Sequence, residues 1–148
     1  MSAPMSGGMT REDVCSELNQ LESAEVIALA AACVGDGGDL VVTRPPTVGT
    51  VVTQVREPVA EQRFILADVL ACQAEVTLRG HQGWAMRMGS DRLATLAAAI
   101  CAAEYEGDGP LATEVVALCR AGRRRREDER AAEWERLSPT IVEFEEIP

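Results

Sequence analysis

The chain contains no lysine, and all 14 of its cations are arginine. Combined with abundant alanine, this reads as a GC-rich coding sequence. Arginine's planar fork also pairs with carboxylates and phosphates better than lysine does. Aromatic residues make up only 3% of the chain, so a core must be built from Ala, Val, Leu and Ile. Deleting one such side chain from a tight core costs roughly 1–4 kcal/mol. There is one histidine and no Cys-x-x-Cys pair, so no metal cluster can be drawn from the sequence. The five cysteines (Cys15, Cys33, Cys72, Cys101 and Cys119) are odd in number and widely spaced. They are expected to be reduced, acting mostly as small buried hydrophobes. No signal peptide and no apolar run of about 18 residues is present, and the expectation is a cytoplasmic protein with no membrane contact. Basic residues fall short of acidic ones, for a net charge of −10. That balance excludes a general nucleic-acid binder, which needs a basic face. Neither G-x-G-x-x-G nor G-x-x-x-x-G-K-[ST] follows any strand-like segment, so a dinucleotide fold and a P-loop are both unsupported.

What is present is a central stretch over residues 62–104. Phe64-Ile65-Leu66-Ala67 and Val69-Leu70-Ala71-Cys72 are apolar runs, and Ala74-Glu75-Val76-Thr77-Leu78 alternates. Arg79-Gly80-His81-Gln82-Gly83 reads as a turn, followed by Trp84-Ala85-Met86-Arg87-Met88 with a period of two. Gly89-Ser90-Asp91 leads into an Ala-rich segment, Leu93 to Cys101, with helical spacing. Strand, strand, turn, strand and helix follow from these periods.

The flanks complete a single domain over residues 10–148, after a flexible lead-in at residues 1–9. Thr10 is a predicted N-cap with Asp13 three residues on, opening a helix that runs to about Leu21. Ser23 is the predicted cap of a second helix, which Gly35-Asp36-Gly37-Gly38 stops. Leu40-Val41-Val42-Thr43 is a predicted strand ended by Pro45-Pro46, and residues 48–55 form another. Gly107-Asp108-Gly109-Pro110 is a break. Leu111, Val115, Leu118 and Cys119 mark a helix that Gly122 interrupts, and Ala132, Trp134 and Leu137 mark helix beyond it. Thr140-Ile141-Val142-Glu143-Phe144 is a predicted last strand. The fold class is therefore α+β: an antiparallel sheet of about four to five strands with flanking helices.

Residues with chemistry are few. His81 is the one easy general base near neutral pH, with Asp68 or Asp91 as acid partners if the chain is a stand-alone enzyme. Cys72 lies in an apolar run, where a buried thiol is inert. The block Arg123-Arg124-Arg125-Arg126 is an anion-holding candidate, but Glu127-Asp128-Glu129 follows at once. That order favours a solvated helix surface laced with i,i+4 pairs. Trp84 and Trp134 are either core fillers or interface anchors. Glu143, Glu145 and Glu146 alternate with Phe144 and Ile147, as on an edge strand with one wet face.

The order of elements resembles the PhnG family, the G subunit of the bacterial carbon–phosphorus lyase core complex, from about Thr10 to Ile147. The family's Arg-Pro-Pro turn and following Gly are similar to Arg44-Pro45-Pro46 and Gly49. Its Phe strand with an acidic residue four positions on is similar to Phe64 and Asp68. Its Gly-x-x-Gly hairpin is similar to Gly80-His81-Gln82-Gly83, its Gly-Arg-Asp lead to Gly89-Ser90-Asp91, and its closing Val-Asp-Phe to Val142-Glu143-Phe144. Three motifs depart. Pro58-Val59-Ala60-Glu61 stands for Gly-Gly-Thr-Gly, Cys72-Gln73-Ala74 for Thr-Arg-Cys, and Ser90 for the Arg of Gly-Arg-Asp. The Arg-Gly that closes the family pattern is missing.

The resemblance implies a subunit of an α-D-ribose 1-methylphosphonate 5-triphosphate synthase, which displaces adenine from ATP with an alkylphosphonate. It implies partners of the H, I and J types, with catalysis carried by the I subunit. ATP is then a substrate of the complex, and no cofactor is expected in this chain. The alternatives are a small homo-oligomeric binding module, such as a homodimer joined through the C-terminal strand, and the His81 enzyme.

Overall fold

The computed structural model describes residues 8–35 and 37–142. Four α-helices and three strands follow in the order α1 (Arg11–Leu18), α2 (Ser23–Val34), β1 (Leu40–Arg56), β2 (Arg63–Leu78), β3 (His81–Met88), α3 (Arg92–Glu106) and α4 (Ala112–Leu137), closed by a 3-10 turn at Ser138–Thr140. The architecture is α+β with one antiparallel sheet, ordered β1-β2-β3.

Among the described residues the sheet has three strands rather than four or five, because two predicted breaks are not breaks. Pro45 and Pro46 lie inside β1, which absorbs them with register shifts between Val42 and Arg44 and between Arg44 and Thr47. β1 is an edge strand, where a proline's missing N–H faces no neighbour. Likewise β2 runs unbroken through Cys72-Gln73-Ala74. The strand predicted at the C-terminus is absent where it is described. Thr140 closes the 3-10 turn, Ile141 and Val142 are in no strand, and Glu143 and Phe144 lie outside the described residues. Residues 1–7 of the predicted lead-in lie outside them too, whereas Met9 packs against the core.

The core is organised around α3. Its alanines at 94, 97, 98, 99 and 103 are buried along with Ile100 and Cys101. The sheet covers one side of this helix and α2 and α4 pack on the others. Cys72, Ala74, Val76 and Leu78 are the buried alternate residues of β2. Small side chains let the layers approach closely: a Cβ on Gly83 of β3 would stand 2.5 Å from Ala103 N on α3. Arg79 and Gly80, with φ of 46° and 82°, make the two-residue turn between β2 and β3. Positive φ at both positions is the type I′ pattern that suits the sheet's twist. His81 and Gln82 therefore belong to β3, not to the turn.

Helix ends follow local chemistry. Thr10 and Asp13 form a full capping box on α1, which ends at Leu18 with Asn19 as C-cap, three residues short of the predicted end. Leu21 is buried nonetheless. Ser23 does not cap α2. Its hydroxyl donates to Asp91 Oδ2 at 2.8 Å, while Asp91 Oδ1 accepts from Ala94 N at 3.0 Å and caps α3. Gly122 does not interrupt α4. It sits buried in a continuous helix, and a Cβ there would stand 2.5 Å from Leu21 Cδ2.

Candidate functional site

His81 opens β3 with its side chain exposed, and its ring lies against Gly107 at the end of α3. Asp91 caps the opposite end of that helix, so 15 residues of α3 separate the two groups, about 22 Å at 1.5 Å per residue. Asp68 lies ten residues up β2 from Leu78, the partner of His81, or about 33 Å away. Among the described residues, His81 has no hydrogen bond or ion pair to an acid. The chain thus brings His81 together with neither proposed partner. Cys72 is fully buried in the sheet's core face. No group of three His, Cys, Asp or Glu side chains among the described residues is placed to hold a metal ion.

The arginine block of α4 is committed elsewhere. Arg123 donates to Asp13 Oδ1 at 2.8 Å and to Glu17 Oε1 at 2.9 Å, and Arg126 donates to Glu17 Oε2. Arg125 clasps Glu25 with two bonds, at 2.8 and 3.2 Å. The expected i,i+4 pairs with Glu127, Asp128 and Glu129 do not form. The acids of α1 and α2 lie across the helix packing and take three of the four guanidinium groups instead. Hydrogen bonds to Asp13 and Glu17 hold the Arg123 guanidinium above its already high pKa. Asp13 is held down to about 2, first by the Thr10 N–H and next by Arg123.

The rest of the polar framework is similarly structural. Arg87, its pKa lowered by burial, donates to the carbonyls of Leu18 and Leu21 at 2.7 and 2.6 Å and so caps the end of α1. Asn19 Oδ1 accepts from Met86 N at 3.1 Å, which blocks the outer edge of β3.

The surface divides differently. Neither tryptophan is in the core: Trp84 is 41% exposed on β3 and Trp134 is 61% exposed on the outer half of α4. Among the described residues, most of the exposed large apolar side chains lie on β1, β2 and the loop between them. β3 pairs β2 only from Ala71 to Leu78, yet β1 and β2 stay paired out to Arg56 and Arg63. Beyond the body they form a two-stranded arm carrying exposed Val51, Val52, Phe64, Ile65, Leu66 and Leu70, with Val59 at its tip. Two of the family-like motifs map here: Gly49, opposite Ala71, stands at the arm's base, and Phe64 and Asp68 lie on its β2. Arg44, opposite Glu75, lies in the three-stranded body, where its Nε approaches Glu75 Oε2 at 3.6 Å.

The arm was visible in the sequence as apolar runs, but not as an arm. The signal available was Phe64-Ile65-Leu66-Ala67, an unalternating run with no helical length. Such a run calls for a strand covered on both faces.

The fold and its surface define an α+β protein with exposed apolar side chains along β1 and β2. The family described as "Phosphonate metabolism protein PhnG" matches residues 9–147. The chain belongs to that family, and phosphonate metabolism is its setting. No curated protein matches the chain.

Proposed function

We propose that this chain is a positioning subunit, not the catalytic one, of a cytoplasmic phosphonate-degrading complex. In that complex it assists attachment of an alkylphosphonate to the ribose of ATP with displacement of adenine. Family membership supports the phosphonate setting, and the reaction proposed is the one the resemblance implies, with ATP as a substrate of the assembly and not a cofactor of this chain. The observation that carries the positioning role is the arm. A two-stranded ribbon does not stand alone in water, and exposed apolar patches of this kind mark protein contacts. The partners are subunits of the H, I and J types.

The test is co-expression of the chain with the I-type and H-type subunits from its own genome, followed by size-exclusion chromatography. Co-elution at a fixed ratio is expected, with adenine released from ATP and methylphosphonate by the complex. Elution of this chain alone overturns the reading. The residues that shape this chain for that work are the arm's apolar side chains, which seat it. The α4 arginines bind α1 and α2 into one body behind the arm, so that what the arm contacts is held at a fixed orientation to the helices.

A further inference from the structure

The arm's own residues say what kind of surface receives it. Its free part on β2, residues 63–70, spans about 26 Å at 3.3 Å per residue. Register places Thr50 opposite Leu70 and Val52 opposite Asp68 on one face, and Val51 opposite Val69 and Thr53 opposite Ala67 on the other. Val52, 58% exposed, and Val51, 41% exposed, therefore point to opposite sides, so apolar side chains stand on both faces. One flat surface would cover only one of them. A cleft with two walls covers both.

At the far end Arg56 stands directly opposite Arg63. Like charges opposed across two strands destabilise the pair. Among the described residues no carboxylate forms an ion pair with either. The adjacent Glu57 is engaged elsewhere, accepting from the N–H groups of Val59 and Ala60. In a chain of net charge −10 this arrangement leaves two guanidinium groups facing outward at the tip.

We infer that the arm inserts into a two-walled apolar cleft of a different subunit, and that carboxylates in that cleft pair with Arg56 and Arg63. The inference rests on the subunit reading above and names the surface that reading requires. A second copy joined edge to edge is a poor match. β1 contains no Asp or Glu in its 17 residues, so a two-fold pairing through it brings no carboxylate to Arg56. Pro45, Pro46 and the register shifts around Arg44 also remove ladder N–H groups from the base of that edge.

The experiment compares three full-length chains co-expressed with the partner subunits: wild type, Ile65→Ser with Leu66→Ser, and Arg56→Glu with Arg63→Glu. Ile65 and Leu66 are 66% and 61% exposed, so both variants should melt as wild type does in isolation. The serine variant is expected to lose co-elution, and the charge-reversed variant to bind at least about tenfold more weakly, as loss of anchor contacts does. Hydrogen exchange on the wild type, free and in complex, covers the case in which a variant fails to fold. Amides of residues 47–70 should gain protection on assembly. Full co-elution of the folded serine variant, wild-type affinity of the folded charge-reversed variant, or protection gained only elsewhere, overturns the inference and leaves the subunit reading standing. Wild type eluting alone overturns both. A wild-type homodimer split by the same substitutions shows a second copy in the cleft's place and also overturns the inference.

Discussion

Glu104 of α3 lies beneath Arg79 of the β2–β3 turn, its carboxylate 1% exposed and ion-paired to the guanidinium. The other carboxylate oxygen accepts from Leu111 N at 2.8 Å, and Arg79 also donates to Cys33 O at 3.2 Å. One buried acid thus ties the turn, the end of α2 and the start of α4 together. Glu104→Ala leaves the Leu111 N–H without its acceptor and Arg79 without its counter-charge. Arg79 is itself 38% exposed and regains water, so the cost falls below that of a fully buried pair, at about 2–3 kcal/mol. Urea denaturation measures it, and a midpoint equal to wild type contradicts the structural role.

Gly83 sets the distance between sheet and helix. The atoms a Cβ would meet are backbone, Ala99 O and Ala103 N of α3, and neither can swing away as a side-chain end would. Gly83→Ala should therefore destabilise by about 3 kcal/mol or more, at the upper end for overpacking. Gly49, with open space around its Cβ position, is the control. Gly49→Ala should change the midpoint by less than about 1 kcal/mol, as uncrowded surface substitutions do.

These contacts show where the sequence was legible. Periodicity located α3, and Asp91 as the residue before it, because helical spacing and N-caps are local. Thr10 with Asp13 was readable for the same reason. The pairing of Arg123 with Asp13 and Glu17 was not, since the acids are over 100 residues away and only packing of α4 on α1 brings them near. Proline and glycine rules misled at Pro45-Pro46 and Gly122. Both rules assume a buried ladder or a free helix, whereas β1 is an open edge and Gly122 is buried against Leu21. The arm is the clearest loss: its residues read as strands, but where β3 stops beside β2 is a matter of pairing register.

Asp13 supplies a pH signature. Its folded pKa of about 2 lies below the ordinary 3.8, held there by the Thr10 N–H and then by Arg123. A depressed carboxylate adds stability that is complete above the unfolded value and is lost as pH falls through the folded one. Asp13→Asn should thus be less stable than wild type at pH 6. The difference should shrink between about pH 4 and pH 2 and vanish below. A difference that stays constant across that window would show that Asp13 acts through shape alone.

Thiol chemistry should separate Cys15 from the other four cysteines. Cys33, Cys72, Cys101 and Cys119 are buried, and Cys15 is partly exposed. Burial pushes the Cys119 thiol up to about 12 and also raises that of Cys15. Cys101 is raised by its hydrogen bond to Cys33, which is lowered in turn. The thiolate is the reactive form, and access is also required. Iodoacetamide on the folded protein should label Cys15 slowly and first, with the rest labelled only after unfolding. Early labelling of Cys33 would show that α2 opens from α3 in the native state.

Glu17 and Glu25 give a paired test of how burial sets the worth of an ion pair. Both are acids of the N-terminal helices bound by α4 arginines, but the Glu17 side chain is 6% exposed and that of Glu25 is 36%. Glu25 and Arg125 are largely hydrated when apart, so Glu25→Ala should cost less than about 1 kcal/mol. Glu17 holds Arg123 and Arg126 together, and Arg126 is only 23% exposed. Glu17→Ala leaves those two cations adjacent with one acid, Asp13, to share, and should cost about 2–4 kcal/mol. Adding Arg126→Ala to Glu17→Ala removes one of the stranded charges, so the double variant should recover part of the loss. Additive losses would instead mean that each side chain contributes through its packing, with no charge coupling between α1 and α4.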